Sequence, residues 1–382
     1  MRFSLISSAL VAALVGYGAS VALLLSAASA VHASAAQTAS WVFTVCVGKA
    51  IGSAYLSYSY RVPVVLAWST PGLALIAATS DVALPEAVGA FVLAGLLITL
   101  TGLLRPLGRL VGLIPDGIAA AVLAGVLLPF CLKIPAAALQ MPAVVLPMIA
   151  IFMLVRLKNP ALAVLAALAL GLLLAFGFGT ATLPVMALPA PVPVFIFPGL
   201  RWDVLTGLGL PLYLVTMASQ NLPGFTTMRA NGYAPPVRPA LITTGLISTI
   251  TGFFGAHTVS MAAITAAICM GDDVHPDREQ RWKVGLAYGA VWLGLALLSP
   301  LILQILAVLP PVIMTALVAL ALLGPLMAAL AGAFIPTQTR FAATITMVTT
   351  ASGIAAFGIG AAFWGITAGL LIYAMEITAK RP

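Results

Sequence analysis

Arg61-Val62-Pro63-Val64-Val65-Leu66-Ala67-Trp68-Ser69-Thr70-Pro71-Gly72, continuing apolar to Thr79, is the stretch that decides the fold. Its first half is β-branched and carries a proline, so it prefers an extended chain. Its second half opens a helix, with Thr70 suited to the N-cap and Pro71 to the first helical position. Eight or nine helical residues rise only about 13 Å at 1.5 Å per residue, which is half a bilayer. Such a helix starts near mid-depth with unpaired N–H groups. Irregular backbone at that depth is tolerated only where protein covers it or it lines a cavity. A proline-kinked packing helix is the plainer alternative.

The bilayer itself follows from composition. Of 382 residues, 62% are hydrophobic and 7% charged, and mean hydropathy is +1.17. Soluble domains carry roughly 25% charged residues, so this chain cannot coat a water-facing surface. The net charge of +8 comes from basic residues scattered in ones and twos, which excludes a tract that follows a nucleic-acid backbone. Cys46, Cys131 and Cys269 lie in apolar segments without metal-like spacing and read as packing residues. The start of the chain imitates a cleavable signal, but its apolar run is longer than a signal core and reads as a retained first span.

Working outward, apolar segments fall at about 4–31, 39–59, 62–79, 84–104, 106–131, 140–155 and 160–178. After a proline-rich break from Leu183 to Pro198 come 203–222, 236–254, 256–270, 282–299, 300–332, 341–357 and 359–378. The fold class expected is therefore an all-α polytopic membrane protein of about 14 transmembrane segments, with short extended stretches in broken spans 3 and 10. With the N-terminus in the cytoplasm, 14 basic residues fall inside: Arg2, Arg61, Arg105, Arg109, Arg156, Lys158, Arg229, Arg238, Arg278, Arg281, Lys283, Arg340, Lys380 and Arg381. Only Lys133 and Arg201 fall outside, and Lys49 lies within span 2. That asymmetry predicts that both termini are cytoplasmic. Ala90–Pro115 also aligns without gaps on Gly285–Pro310, an offset of 195. Two inverted repeats of seven spans, 1–182 and 199–382, are expected, and such repeats are common in secondary transporters.

In the second repeat, Gly252-Phe253-Phe254-Gly255-Ala256-His257-Thr258-Val259-Ser260 precedes a helical run expected from Met261 to Met270. Two half-helices meeting N-terminus to N-terminus suit an anionic group. Candidate substrate-binding residues are Ser69 and Thr70 at the first end, and His257 and Thr258 at the second. Ser219, Gln220 and Asn221 stand beside an expected helix break at Pro223-Gly224, and Tyr17 in span 1 is placed to stack on a ring. His257 is the only histidine within a span near this junction, so it is the candidate for proton coupling, with a neutral hydrogen-bonding role as the alternative. Lys49 could attract an anion, but snorkelling to the cytoplasmic face is the reading preferred for it. The loop Gly271–Lys283 has metal-like residue types, but mixed charges on a turn read as solvated; no metal and no cofactor are expected. No nucleophile–base constellation lies in the spans, so the chain is not expected to be an enzyme.

Trp68–Gly72 (WSTPG), Thr216–Tyr233 (TMASQNLPGFTTMRANGY), Ala262–Cys269 (AAITAAIC), His275–Trp282 (HPDREQRW) and Gly358–Gly369 (GIGAAFWGITAG) resemble the benzoate–proton symporter family. That family is related in fold to uracil/xanthine permeases and sulfate-permease-type anion carriers. The resemblance implies a core of spans 1–4 and 8–11, a gate of spans 5–7 and 12–14, and a homodimer in the bacterial inner membrane. It implies import of benzoate or a similar aromatic carboxylate with a proton, by alternating access. A carrier of nucleobases or inorganic anions, or an uncoupled anion channel, is the alternative. Uracil/xanthine relatives carry acidic residues near the places of Ser219 and His257; their absence here suits an anionic substrate and leaves the proton carrier open.

Overall fold

The computed structural model describes residues 3–18, 20–104, 115–160, 162–182, 190–262, 264–357 and 359–379. Arg2, Arg105, Arg109, Lys380 and Arg381 of the charge pattern lie outside the described residues. So do Gly358, residues 105–114 between the expected fourth and fifth spans, and residues 183–189 of the proline-rich break.

The chain is mostly helical. The first half contains α1 (Phe3–Gly18), α2 (Val21–Ala30), α3 (Ala35–Tyr60), β1 (Leu66–Trp68), α4 (Thr70–Ala77), α5 (Leu84–Leu103), α6 (Asp116–Cys131), α7 (Lys133–Gln140), α8 (Pro142–Lys158) and α9 (Ala163–Gly177). The second half contains α10, a continuous helix over 202–230, then α11 (Val237–Gly252), β2 (Val259–Met261), α12 (Ile264–Ile268), α13 (Lys283–Ala307), α14 (Pro311–Phe334), α15 (Arg340–Ala351) and α16 (Ala361–Ala379). Among the described residues, seven helical segments are long and apolar enough to cross a membrane, and α9 is a shorter apolar helix.

Two sets of helices pack separately. In one, α5 lies along α11 and α3 along α13, with α1 against α13; in the other, α6 packs on α14 and α15, α15 on α16, and α8 on α9. Close approach in the first set depends on absent side chains. A Cβ on Gly245 would stand 2.4 Å from the Thr99 backbone nitrogen, and one on Gly95 would stand 2.6 Å from that of Thr249.

The extended stretches expected in the two broken spans meet each other. β1 and β2 pair antiparallel in the register Leu66↔Met261, Ala67↔Ser260 and Trp68↔Val259. The pairing extends through Ser69 N–H to the Thr258 carbonyl (3.0 Å) and Ala262 N–H to the Val65 carbonyl (3.1 Å). Side chains supply partners for the outward N–H groups. Ser57 Oγ accepts from Val64 (3.0 Å) and Ser53 Oγ from Leu66 (3.0 Å); Ser248 Oγ accepts from Val259 (2.8 Å) and Asn221 Oδ1 from Met261 (2.9 Å). The ribbon is buried in the protein interior, so these acceptors are what satisfy N–H groups that would otherwise be left unpaired. The four N–H groups lie at 64 and 66, and again at 259 and 261, the same 195-residue spacing as the sequence repeat. α6 and α14 likewise begin 195 residues apart, at Asp116 and Pro311.

Four expectations need correction. The first half-helix is capped by Ser69 rather than Thr70: Ser69 Oγ accepts from Gly72 N–H (3.1 Å), placing Thr70 at the first helical position and Pro71 at the second. The helical run expected from Met261 is shortened to the five residues of α12, because strand pairing and Asn221 hold the chain extended through Ala262. Pro223 does not break α10, because a π-helical turn over Met217–Asn221 precedes it, with Leu222 N–H bonding the Met217 carbonyl. An equivalent turn over Leu205–Gly209 precedes Pro211. Widening the turn accommodates a proline ring that an α-helical register would press against the carbonyl four residues back. Finally, the boundary expected between residues 299 and 300 lies inside α13. Pro300 leaves the Ala296 carbonyl without its helical donor, and Ser299 Oγ donates to it instead (2.7 Å). The chain turns after Ala307, and Pro311 opens α14.

Candidate functional site

A cavity of about 850 Å³ lies between the two helix sets, within the usual range for small-molecule sites. One wall comes from α1, α3, the β1–α4 junction, α10 and α13; the other from α6, α8, α9 and α14. The second wall offers mostly small and apolar surface, such as Ala119, Ala120, Ala321 and Gly324, and includes Asp116 and Arg156. The first wall carries the chemistry.

Of the eight candidate residues, Thr70, Ser219 and Gln220 line the cavity. Thr70 Oγ1 pairs with Ser20 Oγ (2.9 Å), and Ser219 Oγ donates to the Val215 carbonyl (2.5 Å). The π-helical turn presents Ala218, Ser219 and Gln220 to the cavity together. Ser69, Thr258 and Asn221 are buried behind the surface and committed to structure. Thr216 Oγ1 donates to Ser69 Oγ (3.0 Å) and pairs with Thr258 Oγ1 (2.8 Å), linking α10 to both broken spans. Asn221 accepts from Met261 and donates to Met217 Sδ (3.3 Å).

His257 is fully buried, and its Nδ1 receives the Trp41 indole N–H at 3.0 Å. An indole can only donate, so Nδ1 is an acceptor and the neutral ring carries its proton on Nε2. A second proton on Nδ1 would face the indole N–H and break that bond. Tyr17 packs against Trp68 and Trp292, with ring centroids 5.6 and 6.0 Å apart.

Lys49 departs most from expectation. It does not snorkel. Its side chain is fully buried, lines the cavity, and places Nζ 3.0 Å from the Trp292 ring centroid and 3.6 Å from that of Trp68. It makes no hydrogen bond. Composition alone hides this arrangement, because the two indoles come from separate elements, β1 and α13, and Trp292 is far from Lys49 in the chain. The signal available in the sequence is a lysine in mid-segment.

The loop Gly271–Lys283 is organised by Arg281 rather than left as a loose charged turn. Its guanidinium donates to the Met270 carbonyl (2.9 Å), the His275 carbonyl (2.6 Å) and Asp272 (2.5 Å). Among the described residues no three His, Cys, Asp or Glu side chains converge as a metal site. The three cysteines are free and buried.

A cavity between two helix sets of an apolar, many-helix chain, with one wall polar and aromatic and the other mostly small and apolar, points to a membrane transport protein. The chain belongs to the benzoate membrane transport protein family, whose model matches residues 1–375, and that family is one of transporters, not enzymes. It is 36% identical over 363 residues to "Inner membrane protein YdcO" of Escherichia coli (strain K12), covering 95% of this chain and 93% of that protein. It is 32% identical over 370 residues to the "Benzoate membrane transport protein" of Acinetobacter baylyi (strain ATCC 33305 / BD413 / ADP1), covering 97% and 94%. In fold it is similar to SLC26A9 (TM-score 0.69, 13% identity, 98% of this chain and 66% of that longer one). It is also similar to the transmembrane domain of the cyanobacterial bicarbonate transporter BicA (TM-score 0.59, 15% identity, 99% and 98%). These structural likenesses concern the fold alone.

Proposed function

We propose that this protein imports benzoate or a similar aromatic carboxylate together with a proton, by alternating access, across the bacterial inner membrane. The observation that carries the reading is the cavity's composition: a buried lysine, two indoles and the first turn of α4 share one chamber. A cation and a helix N-terminus suit a carboxylate, and indole faces suit an aromatic ring. The A. baylyi relative, named for benzoate transport, and the inner-membrane relative from E. coli support the substrate and the location.

In this reading the carboxylate sits by Thr70 and Lys49, Ser219 and Gln220 orient it, and Tyr17 backs the indoles that hold the ring. Ser69, Asn221, His257 and Thr258 shape the site from behind. Fourteen spans in two inverted repeats, 1–182 and 199–382, account for the 195-residue spacing of the ribbon N–H groups and of the α6 and α14 starts. The helix set containing α1, α3, α5, α11 and α13 corresponds to the core, and the set containing α6, α8, α14, α15 and α16 to the gate. Both termini lie in the cytoplasm by the charge asymmetry, and the protein works as a homodimer. Arg156, assigned to the cytoplasmic side by the charge pattern, is among the lining residues, which supports an inward-open arrangement.

The test is uptake of labelled benzoate by proteoliposomes under an imposed inward pH gradient, acid outside. Accumulation above empty vesicles that collapses with a protonophore is expected; no accumulation sinks the reading. Displacement by nucleobases or inorganic anions but not by benzoate would reassign the substrate. Single-channel currents would reassign the mechanism to a channel.

A further inference from the structure

From the geometry around Lys49 we infer that this lysine is the substrate's counter-charge and that its proton is the one that crosses with the carboxylate. The inference rests on the transport reading above and deepens it.

Four observations converge. Lys49 is among the residues lining the cavity, and its Nζ is fully buried there, has no hydrogen-bond partner and is held only by the faces of Trp68 and Trp292. Those rings are braced from outside: their own centroids are 5.5 Å apart, Tyr17 packs on both, and Tyr288 packs on Trp292. The titratable groups around Lys49 are Cys46 on its own helix, Tyr17 from α1, His257 from the segment before β2, and Tyr288 from α13. None is a carboxylate. The charged residues lining the same cavity, Asp116 and Arg156, belong to the opposite wall, and Lys49 takes part in none of the described salt bridges.

Ring faces attract an ammonium but do not replace its lost hydration. A carboxylate within reach does. Anion and proton therefore favour each other's binding at this site, and by linkage the effect is reciprocal. The cycle balances as follows. On the outer side a carboxylate anion enters and the Lys49 amine takes one proton from water, giving an ammonium–carboxylate pair of zero net charge. After the cavity opens inward, the carboxylate leaves and the ammonium returns its proton to water. One carboxylate and one proton have crossed, and only an N–H bond has formed and broken. When the anion draws the ammonium away, the indole faces become free to flank the aromatic ring. His257 is less suited to the role, since the Trp41 N–H already occupies its Nδ1.

Arginine keeps the charge but cannot lose it in a protein, and this separates the two parts of the inference. In proteoliposomes of the full chain, Lys49→Arg is expected to slow benzoate exchange without a gradient, because the larger guanidinium alters the binding site, yet to leave it measurable. It is expected to lose pH-driven accumulation by at least about tenfold. Tryptophan fluorescence supplies a second measurement, because Trp68 and Trp292 report directly on the site. Wild-type benzoate affinity, titrated from mildly acidic to mildly alkaline pH, should weaken toward alkaline pH with a limiting slope of about tenfold per pH unit, as one linked proton requires. Lys49→Gln should bind more weakly and without that slope. Accumulation by Lys49→Arg at the wild-type level overturns the inference, as does a flat wild-type titration or a slope that survives in Lys49→Gln. The flat-titration criterion needs no variant, so it holds even where both variants misfold. If wild-type vesicles take up no benzoate, the transport reading has failed; if wild type and Lys49→Arg both accumulate it, only the assignment to Lys49 has failed.

Discussion

The two broken spans meet the same requirement with different parts. In the first, one helix, α3, provides both serines that cover the outward N–H groups of the strand, and Ser69 caps an eight-residue helix. In the second, the acceptors come from two helices, Ser248 on α11 and Asn221 on α10, and the helix that follows has five residues. Their basic neighbours differ in the same sense. His257, beside the second strand, is paired through Trp41, whereas Lys49, beside the first, touches only ring faces. A buried basic group with a dedicated partner supports the structure; one without a partner is available to a ligand.

The comparison breaks most severely at Asn221. Asn221→Leu keeps the branching and number of side-chain heavy atoms but strands the Met261 N–H in a buried interior. A loss of up to about 3 kcal/mol is expected, read as a lowered melting temperature of the purified protein together with lost uptake. Trp41→Phe makes His257 as partnerless as Lys49. About 2 kcal/mol should be lost from the broken bond and the smaller ring. The pH dependence of benzoate uptake should keep its direction, and its reversal would show that His257 takes part in coupling after all. Ser69→Ala removes the cap of α4 and an acceptor for Thr216. A loss of about 1 kcal/mol is expected, with severalfold weaker benzoate binding by fluorescence titration; unchanged binding would separate the helix end from the substrate. Gln220→Leu sharpens the comparison at least cost. Its side chain lines the cavity, so the apparent KM for benzoate should rise while the melting temperature stays within a degree or two.

Much of this was legible from local signals. The β-branched run with Pro63, followed by Ser69-Thr70-Pro71, carries its own extended-then-helical instruction, and its cap was misread by a single residue. The continuation of α10 through Pro223 and of α13 through Pro300 was not legible, because each depends on an accommodation that proline statistics do not contain: a widened turn in one helix and a serine hydroxyl in the other. The pairing of β1 with β2 joins residues nearly 200 apart, and three-residue strands have no periodicity from which to infer a partner. Lys49 was misread for a related reason. Snorkelling is the fate of a lysine considered alone, and only the assembled fold brings Trp68 and Trp292 over its amine.

The ribbon also sets a mechanical condition on the site. Separating β1 from β2 would leave buried backbone donors and acceptors unpaired, at roughly 1–3 kcal/mol for each group. The two broken spans are thus riveted into one body, and a substrate bound between them would travel as freight on a single carriage. Under the alternating access proposed above, clearance would open against the facing wall, where Ala119, Ala120, Ala321 and Gly324 present small side chains.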